Sequence, residues 1–409
     1  MKRVLFVAYY FPPLGGIGSI RTVSFAAHLS DFGWEAIVLA PRNGAYHRDP
    51  ALAFPERRVI RTDSLELSRA GKQVLRAGGT DTEASAAHGW RRPLRHAARR
   101  YVYFPDAQIG WYPPAVARAL RAVRPGHFDA IFSSSFPITA HMVARTLHRR
   151  LDAPWVAEFR DPWYARLSEQ GIRSPRAERL ERNLAHEASA LVTVSPSWAE
   201  LFGAEWKRDV AVITNGHDGG AVPSYPVAND RLTLGYVGTF YPESQNLDAI
   251  WLALATLSKE FPGQCAIRVV GRRDEALAAR VAACGAGGLL SFTGYLPHQE
   301  AVEEMSRCTA LIVPGPLRST GVERGVLAAK LFEYLATNRP IVYVGHLDTD
   351  AAHLLRAFPG THLLGTQDSA GAVATLRAVR TETVVRDATA LSRRSLSRRL
   401  ATLLDSVSS

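Results

Sequence analysis

Short apolar, β-branched runs alternate with amphipathic stretches from one end of the chain to the other. The runs Arg3–Ala8, Ala36–Ala40, Asp129–Ser133, Trp155–Phe159, Ala190–Val194 and Val210–Thr214 read as strands. A second series follows at Leu232–Val237, Ala266–Val270, Leu290–Thr293, Ala310–Val313, Ile341–Val344 and His362–Leu364. These runs are apolar throughout rather than at every second residue, the pattern of parallel strands covered on both faces. Helical patterns lie between them. Ala115–Arg124 spaces Val116, Leu120 and Val123 along one face, and Gln245–Glu260 is a longer example. Strict alternation of the two patterns predicts the α/β class, with doubly wound parallel sheets.

The alternation breaks at residues 218–231, "DGGAVPSYPVANDR", which has two glycines, two prolines and few large apolar residues. It reads as a linker between two Rossmann-like domains, residues 1–217 and 232–386. Residues 387–409 form a final helical segment able to pack back on the first domain. Residues 42–110 are less regular and rich in Ala, Arg and Gly, an excursion from the first domain. Two such domains facing each other place a cleft at the carboxyl ends of both sets of strands.

Composition narrows the class. The 409 residues are 47% hydrophobic and 21% charged, as in a globular protein with ample core material. Three cysteines lie far apart without a CxxC, which argues against a disulfide framework or zinc site and fits a reducing compartment. The apolar run at the N-terminus is too short for a signal peptide, and no run of about 18 apolar residues exists. A cytoplasmic protein is expected. The formal net charge of +11 gathers in Trp90–Arg100, Arg145–Arg150 and Ser392–Arg399. Such charge suits nucleic acid, an anionic membrane or phosphorylated substrates, or reflects only an arginine-rich composition. No RNA or DNA module is present, so no nucleic-acid partner is expected. Peripheral contact with an anionic membrane, at the inner membrane face, stays open. In "LSRRSLSRRLATLLDSV" the residues Leu396, Leu400, Leu403 and Leu404 share a face opposite the arginines. This helix either touches a membrane or packs on the domains, and the lack of an interfacial aromatic favours packing.

The opening loop, "YYFPPLGGIGSIR" from Tyr9 to Arg21, follows the first strand directly. Gly16-x-Gly18 begins like a dinucleotide fingerprint, but Arg21 stands at the third glycine and "IVLAPR" ends without an acidic residue. A nicotinamide site is therefore not supported. Gly15, Gly16 and Gly18 still permit close approach, and N–H groups at the helix start can hold an anion or hydroxyl. A tight turn without ligand is the alternative. "WVAEFRDPW" ends a buried strand with Glu158, Arg160 and Asp161. These either orient a hydroxylated substrate or form an internal ion pair bracing the turn before Pro162.

In the second half, Gly235 and Gly238 surround a strand end with Thr239 following, and Gly271, Arg272 and Arg273 close another. Val313–Gly345 carries most information. A loop with Gly315, Gly321, Val322 and Gly325 holds Arg318 and Arg324, and a helix follows with Lys330 and Glu333 on one face. Glycines, cations and a helix N-terminus suit a diphosphate, and a carboxylate further in can accept both hydroxyls of a ribose. Leu347–Asp350, "LDTD", contains a D-x-D, but it reads as an Asp-rich helix N-terminus, and no metal is expected.

The strings "AEFRDPW", "VITNGHD", "FTGYLPHQEAVEEMSRCTALIVP" and "FEYLATNRPIV" resemble the family 4 retaining glycosyltransferases of the GT-B fold, and the stretch Tyr9–Pro41 resembles the acceptor-side domain of that family. The resemblance spans nearly the whole chain. It implies a nucleoside-diphosphate sugar held mainly by the C-terminal domain, as co-substrate rather than cofactor, and an acceptor held mainly by the N-terminal one. It implies retention, with the diphosphate taking the acceptor proton, and no metal. Glu333 falls on the second glutamate of the E-x7-E motif, the one associated with the donor ribose. The first falls at Gly325, with Glu323 close by. The family's diphosphate-gripping arginine and lysine fall near Thr239 and Gln245, leaving Arg272, Arg318 or Lys330 as replacements. The family's His-Asp becomes Arg160–Asp161. The resemblance thus implies a divergent branch marked by "FRDPW" and "KLFEYLA". Arg160, Asp161 and Lys330 are its catalytic candidates, and Gly238, Thr239, Gly271, Arg272, Arg318, Gly321, Val322 and Glu333 its donor contacts. Gly15, Gly16, Gly18 and Arg21 form its acceptor-side loop. The acceptor is a small molecule, a cell-envelope or other glycan, or a lipid-linked group. Two rivals stand beside this reading: a sugar-nucleotide epimerase on the same fold, and a non-catalytic basic protein that binds membrane or nucleic acid.

Overall fold

The computed structural model describes residues 1–44, 46, 48–65, 103–218 and 231–408. The basic stretch Trp90–Arg100 and most of the linker, residues 219–230, lie outside the described residues. The chain divides into two compact units. Unit 1 comprises Met1–Val194, Trp198–Ile213 and Leu396–Ser409; unit 2 comprises Ser195–Ser197 and Thr214–Ser395.

Among the described residues, unit 1 is built on a parallel sheet of seven strands in the order β3-β2-β1-β4-β5-β6-β7. The strands are β1 (Lys2–Val7), β2 (Trp34–Pro41), β3 (Val59–Thr62), β4 (Ala130–Ser135), β5 (Trp155–Phe159), β6 (Ala190–Thr193) and β7 (Ala211–Val212). Val4 sits between Ala36 of β2 and Ala130 of β4, so the order reverses beside β1. This is the topological switch point, where ligands gather in such sheets. The central strands are buried on both faces, which explains their mainly apolar sequence; the buried polar residues Ser133–Ser135 and Glu158 stand toward their carboxyl ends. Leu396, Leu400 and Leu404 complete the core around Val4, Phe6 and Trp34, while Arg394, Arg398 and Arg399 face solvent. Lys2 Nζ stands 3.0 Å from Asp405 and ties the first strand to this last helix.

Unit 2 carries a parallel sheet of six described strands in the order β10-β9-β8-β11-β12-β13. They are β8 (Leu232–Val237), β9 (Cys265–Val270), β10 (Leu290–Phe292), β11 (Ala310–Pro314), β12 (Ile341–Val344) and β13 (Thr361–Leu364). One face is covered by the helices Asp248–Glu260 and Ser369–Val379, through Leu254, Leu257, Leu376 and Val379. The other is covered by the helix Ala329–Ala336, through Leu331, Phe332 and Leu335. Here the order reverses between β8 and β11. Both units are doubly wound α/β folds, as the alternation predicts. Each expected strand is present with ends moved by a few residues, and β3 is an additional edge strand inside the irregular excursion. Among the described residues, no helix is long and apolar enough to cross a membrane.

Candidate functional site

In unit 2 the segment Ala329–Ala336, "AKLFEYLA", contains only good or moderate helix formers and buries Leu331, Phe332, Tyr334 and Leu335. Lys330 and Glu333 are left on the remaining side. At the C-terminal end Thr337 Oγ1 donates to the Tyr334 carbonyl, 2.8 Å away, and Arg386 donates to the carbonyls of Tyr334 and Leu335. These bonds occupy acceptors that a helix end leaves unpaired.

This helix holds the end of β8 with two side chains. Lys330 Nζ donates to the Val237 carbonyl at 3.0 Å, and Tyr334 Oη accepts from the Val237 N–H at 2.9 Å. Both backbone groups of one residue at the switch point are thus fixed. Lys330 Nζ also lies 4.0 Å from the centre of the Tyr236 ring, whose negative face favours a cation. Burial opposes the charge and lowers the Lys330 pKa to about 7. Tyr236 Oη donates to the Thr239 carbonyl at 2.6 Å, which folds the chain sharply after Gly238. Gly238 adopts φ +100, in the region that favours glycine. Its N–H reaches the Val270 carbonyl, and its own carbonyl lies where a Cβ on Gly271 would come within 3.2 Å. Lys330, Gly238, Thr239 and Gly271 therefore meet at the carboxyl ends of β8 and β9.

Glu333 lies one turn further along. Its side chain is 17% exposed, with Oε1 3.5 Å from Arg393 Nη2 and 3.8 Å from His298 Nδ1. Asp218 completes the group: it pairs with Arg393 Nη1 and lies 3.6 Å from His298 Nε2. Burial raises the Glu333 pKa, and His298 and Arg393 oppose the rise. The Asp218 carboxylate beside it raises the His298 pKa. Sequence reasoning did not single out Tyr236, Tyr334, Asp218, His298 or Arg393 in these roles.

The other expected donor contacts are more scattered. Arg272 and Arg318 are exposed, and neither makes an ion pair among the described residues. Gly321, with φ +55, opens the short helix Gly321–Arg324, in which Val322 is buried. Arg324 reaches Asp348, 3.4 Å away. The D-x-D string starts a helix: Thr349 Oγ1 accepts from the Ala352 N–H at the head of Asp350–Arg356. Among the described residues, no group of three or more His, Cys, Asp or Glu side chains is arranged to hold a metal ion. A cavity of about 640 Å³ opens beside β10, lined by Arg273, Leu290, Phe292 and Gly294 among others, and includes none of the expected contacts.

In unit 1 the glycine loop opens the helix Ile17–His28. Gly16 adopts φ +87, and Ser19 Oγ donates to the Gly15 carbonyl at 3.1 Å. A Cβ on Gly18 would lie 3.1 Å from both terminal nitrogens of Arg160, so the missing side chain is what admits that guanidinium. Arg160 Nε donates to the Ser135 carbonyl at 2.5 Å, across the end of β4. Burial lowers the Arg160 pKa against the opposing pull of Glu158. Asp161 pairs with Arg166 at 3.0 Å, and burial raises its carboxyl. Arg21 turns inward: it donates to Glu158 and to the Ile213 carbonyl, 2.7 Å away. Gly18 and Arg160 are thus brought together, while Arg21 braces the interior. Beside them His141 is fully buried, with Nδ1 2.7 Å from Ser133 Oγ, and burial pushes its pKa down to about 3.

Residues 15–216 match the Glycosyl transferase 4-like domain family, and residues 231–374 match Glycosyl transferases group 1. No curated protein matches the chain in sequence. Solved structures share its fold. Sucrose-phosphate synthase from Thermosynechococcus elongatus aligns with TM-score 0.61 at 14% identity, covering 100% of this chain and 96% of its own. HepE from Anabaena, solved with UDP and glucose, aligns with TM-score 0.58 at 16% identity, covering 100% and 97%. WaaG, a glycosyltransferase involved in lipopolysaccharide biosynthesis, aligns with TM-score 0.55 at 13% identity, covering 99% and 97%. With both halves matched in order and two doubly wound units beneath them, the chain belongs to the family 4-like glycosyltransferases of the GT-B fold.

Proposed function

We propose that this glycosyltransferase takes its sugar from a nucleoside-diphosphate donor held by unit 2 and passes it to an acceptor hydroxyl or amine, with retention and without a metal. The observation that carries this reading is the bond from Lys330 to Val237. It sets a cation at the end of β8, beside the glycine turn Gly238–Thr239 and Gly271, one helical turn from Glu333. Lys330 and the exposed Arg272 and Arg318 supply positive charge for the departing diphosphate, and Glu333 accepts from the ribose hydroxyls. The anomeric carbon–oxygen bond breaks with its electron pair passing to the diphosphate. The acceptor oxygen or nitrogen forms the new bond on the same face, and its proton goes to a phosphate oxygen. Fixed cations stabilise the developing charge without reorganising. On unit 1, Gly15, Gly16 and Gly18 with Arg160 and Asp161 contact the acceptor, which is a cell-envelope glycan, a glycolipid or a small natural product.

The test is a thermal-shift panel of nucleoside diphosphates and their sugars, with UDP-sugars first because HepE was solved with UDP. A ligand that binds only the folded protein raises its melting temperature. One nucleotide is expected to do so, and Glu333→Ala and Lys330→Ala are expected to reduce the shift. A nucleotide shift left intact in both variants overturns the assignment, and activity abolished by a chelator overturns metal independence.

A further inference from the structure

The segment Ala388–Arg393 is laced to His217–Asp218 by backbone and side-chain bonds. The Arg393 N–H donates to the His217 carbonyl at 2.7 Å, the His217 N–H donates to the Leu391 carbonyl, and His217 Nε2 lies 2.9 Å from the Ala388 carbonyl. This lacing delivers Arg393, 8% exposed in its side chain, onto Glu333 from 60 residues further along the chain. The closest approaches fall on one carboxylate oxygen: Arg393 Nη2 and His298 Nδ1 both come nearest to Oε1. A carboxylate held from this side and still partly exposed is oriented for a ligand that donates hydrogen bonds.

We propose that Arg393 is the positioning residue for Glu333: it holds the carboxylate from the Oε1 side, leaves the exposed part for the donor's ribose hydroxyls, and is itself anchored by Asp218. The proposal rests on the reading of Glu333 as the ribose contact. Arg393 does two things there. It sets the carboxylate's orientation and, with His298, favours the ionised form against burial, which strengthens hydrogen bonds to hydroxyls. The charged groups facing Glu333 are Arg393, His298 and, through both of them, Asp218. The arginine cluster at Ser392–Arg399 is thus not uniform: its first arginine, Arg393, is a buried part of the donor side, while Arg394, Arg398 and Arg399 are exposed.

The experiment compares Arg393→Gln, Glu333→Gln, their double variant and Asp218→Asn in the full-length enzyme, measuring donor KM, acceptor KM, kcat and melting temperature. Arg393→Gln is expected to raise donor KM about tenfold, by loss of a charge-assisted contact, with acceptor KM and kcat little changed. Its donor KM is also expected to worsen, relative to the parent's at the same pH, as pH is lowered from 8 to 6. The double variant should be no worse than the poorer single one, since both act through one carboxylate. Arg393→Lys should recover part of the loss. Asp218→Asn removes an exposed anchor and is expected to raise donor KM less, at an unchanged melting temperature, which keeps the test open if Arg393→Gln folds poorly. If Glu333→Gln raises donor KM while Arg393→Gln and Asp218→Asn do not, or if the two losses multiply in the double variant, the positioning role is wrong. If Glu333→Gln leaves donor KM unchanged, the ribose reading falls and this proposal with it.

Discussion

Arg21 and Glu158 form a buried pair in unit 1, with Nη2 2.6 Å from Oε1, and Ser134 Oγ donates to the second carboxylate oxygen at the same distance. The pair joins the first helix of the chain to the end of β5. Removing one partner strands a charge in a place with almost no water. Arg21→Met is expected to cost about 3–5 kcal/mol of stability, whereas replacing both partners by apolar residues costs less. Urea unfolding of the two variants checks this. A double replacement as unstable as the two single losses added together rules the account out.

Lys330 ties stability to pH. Its pKa is about 7 in the folded protein against an ordinary 10.5, so the unfolded chain binds more protons between these values. Stability therefore rises with pH through that window, and the burial cost is complete below about pH 7. Lys330→Met should melt above the parent at pH 7, and that advantage should shrink as pH approaches 10. Donor affinity should fall in the same variant. A melting difference that is constant across the window contradicts the assignment.

Glu181 works in the opposite direction. It is fully buried, its oxygens accept from the N–H groups of Trp163 and Tyr164, and burial raises its pKa to about 8. The folded chain binds more protons than the unfolded one between pH 4.5 and 8, so stability falls as pH climbs through this range. The melting temperature of Glu181→Gln relative to the parent should rise from pH 5 to pH 8 and level off above it. Scanning fluorimetry in overlapping buffers reads this directly.

Gly18 tests the acceptor side. Its replacement by Ala presses a methyl against the Arg160 guanidinium, which must shift by a few tenths of an ångström. The fold should survive, with melting within a few degrees of the parent, but turnover should drop about tenfold or more through misplacement of Arg160. Unaltered kcat and acceptor KM would show that this approach has no part in handling the acceptor.

The strands were legible because a doubly covered parallel strand is apolar along most of its length, as in Val4–Val7 and Ile341–Val344. β3 was not, because "VIRT" sits half-buried at an edge within an arginine-rich stretch. Lys330 and Glu333 could be singled out because helical spacing puts both on the side left after the apolar residues are buried. Tyr334 and Tyr236 could not, since an aromatic on a buried face reads as packing, and only the fold shows their hydroxyls on backbone groups. Arg21 looked like part of a ligand loop because its partner Glu158 stands 137 residues away in the chain. Arg393 was hidden in a basic cluster for the same reason: local charge pattern carries no information on which arginine the chain will turn inward.

Arg386 donates to the carbonyls of Tyr334, Leu335, Arg339, Pro359 and Gly360 from a position some fifty residues beyond the helix it secures. Unit 1 likewise takes Leu396, Leu400 and Leu404 as the last pieces of a core that begins at Val4. During synthesis, neither half can finish its interior until the ribosome has released this terminal stretch. A nascent chain stalled before residue 386 is then expected to leave bare the apolar surface that Leu396, Leu400 and Leu404 cover and the carbonyls that Arg386 satisfies.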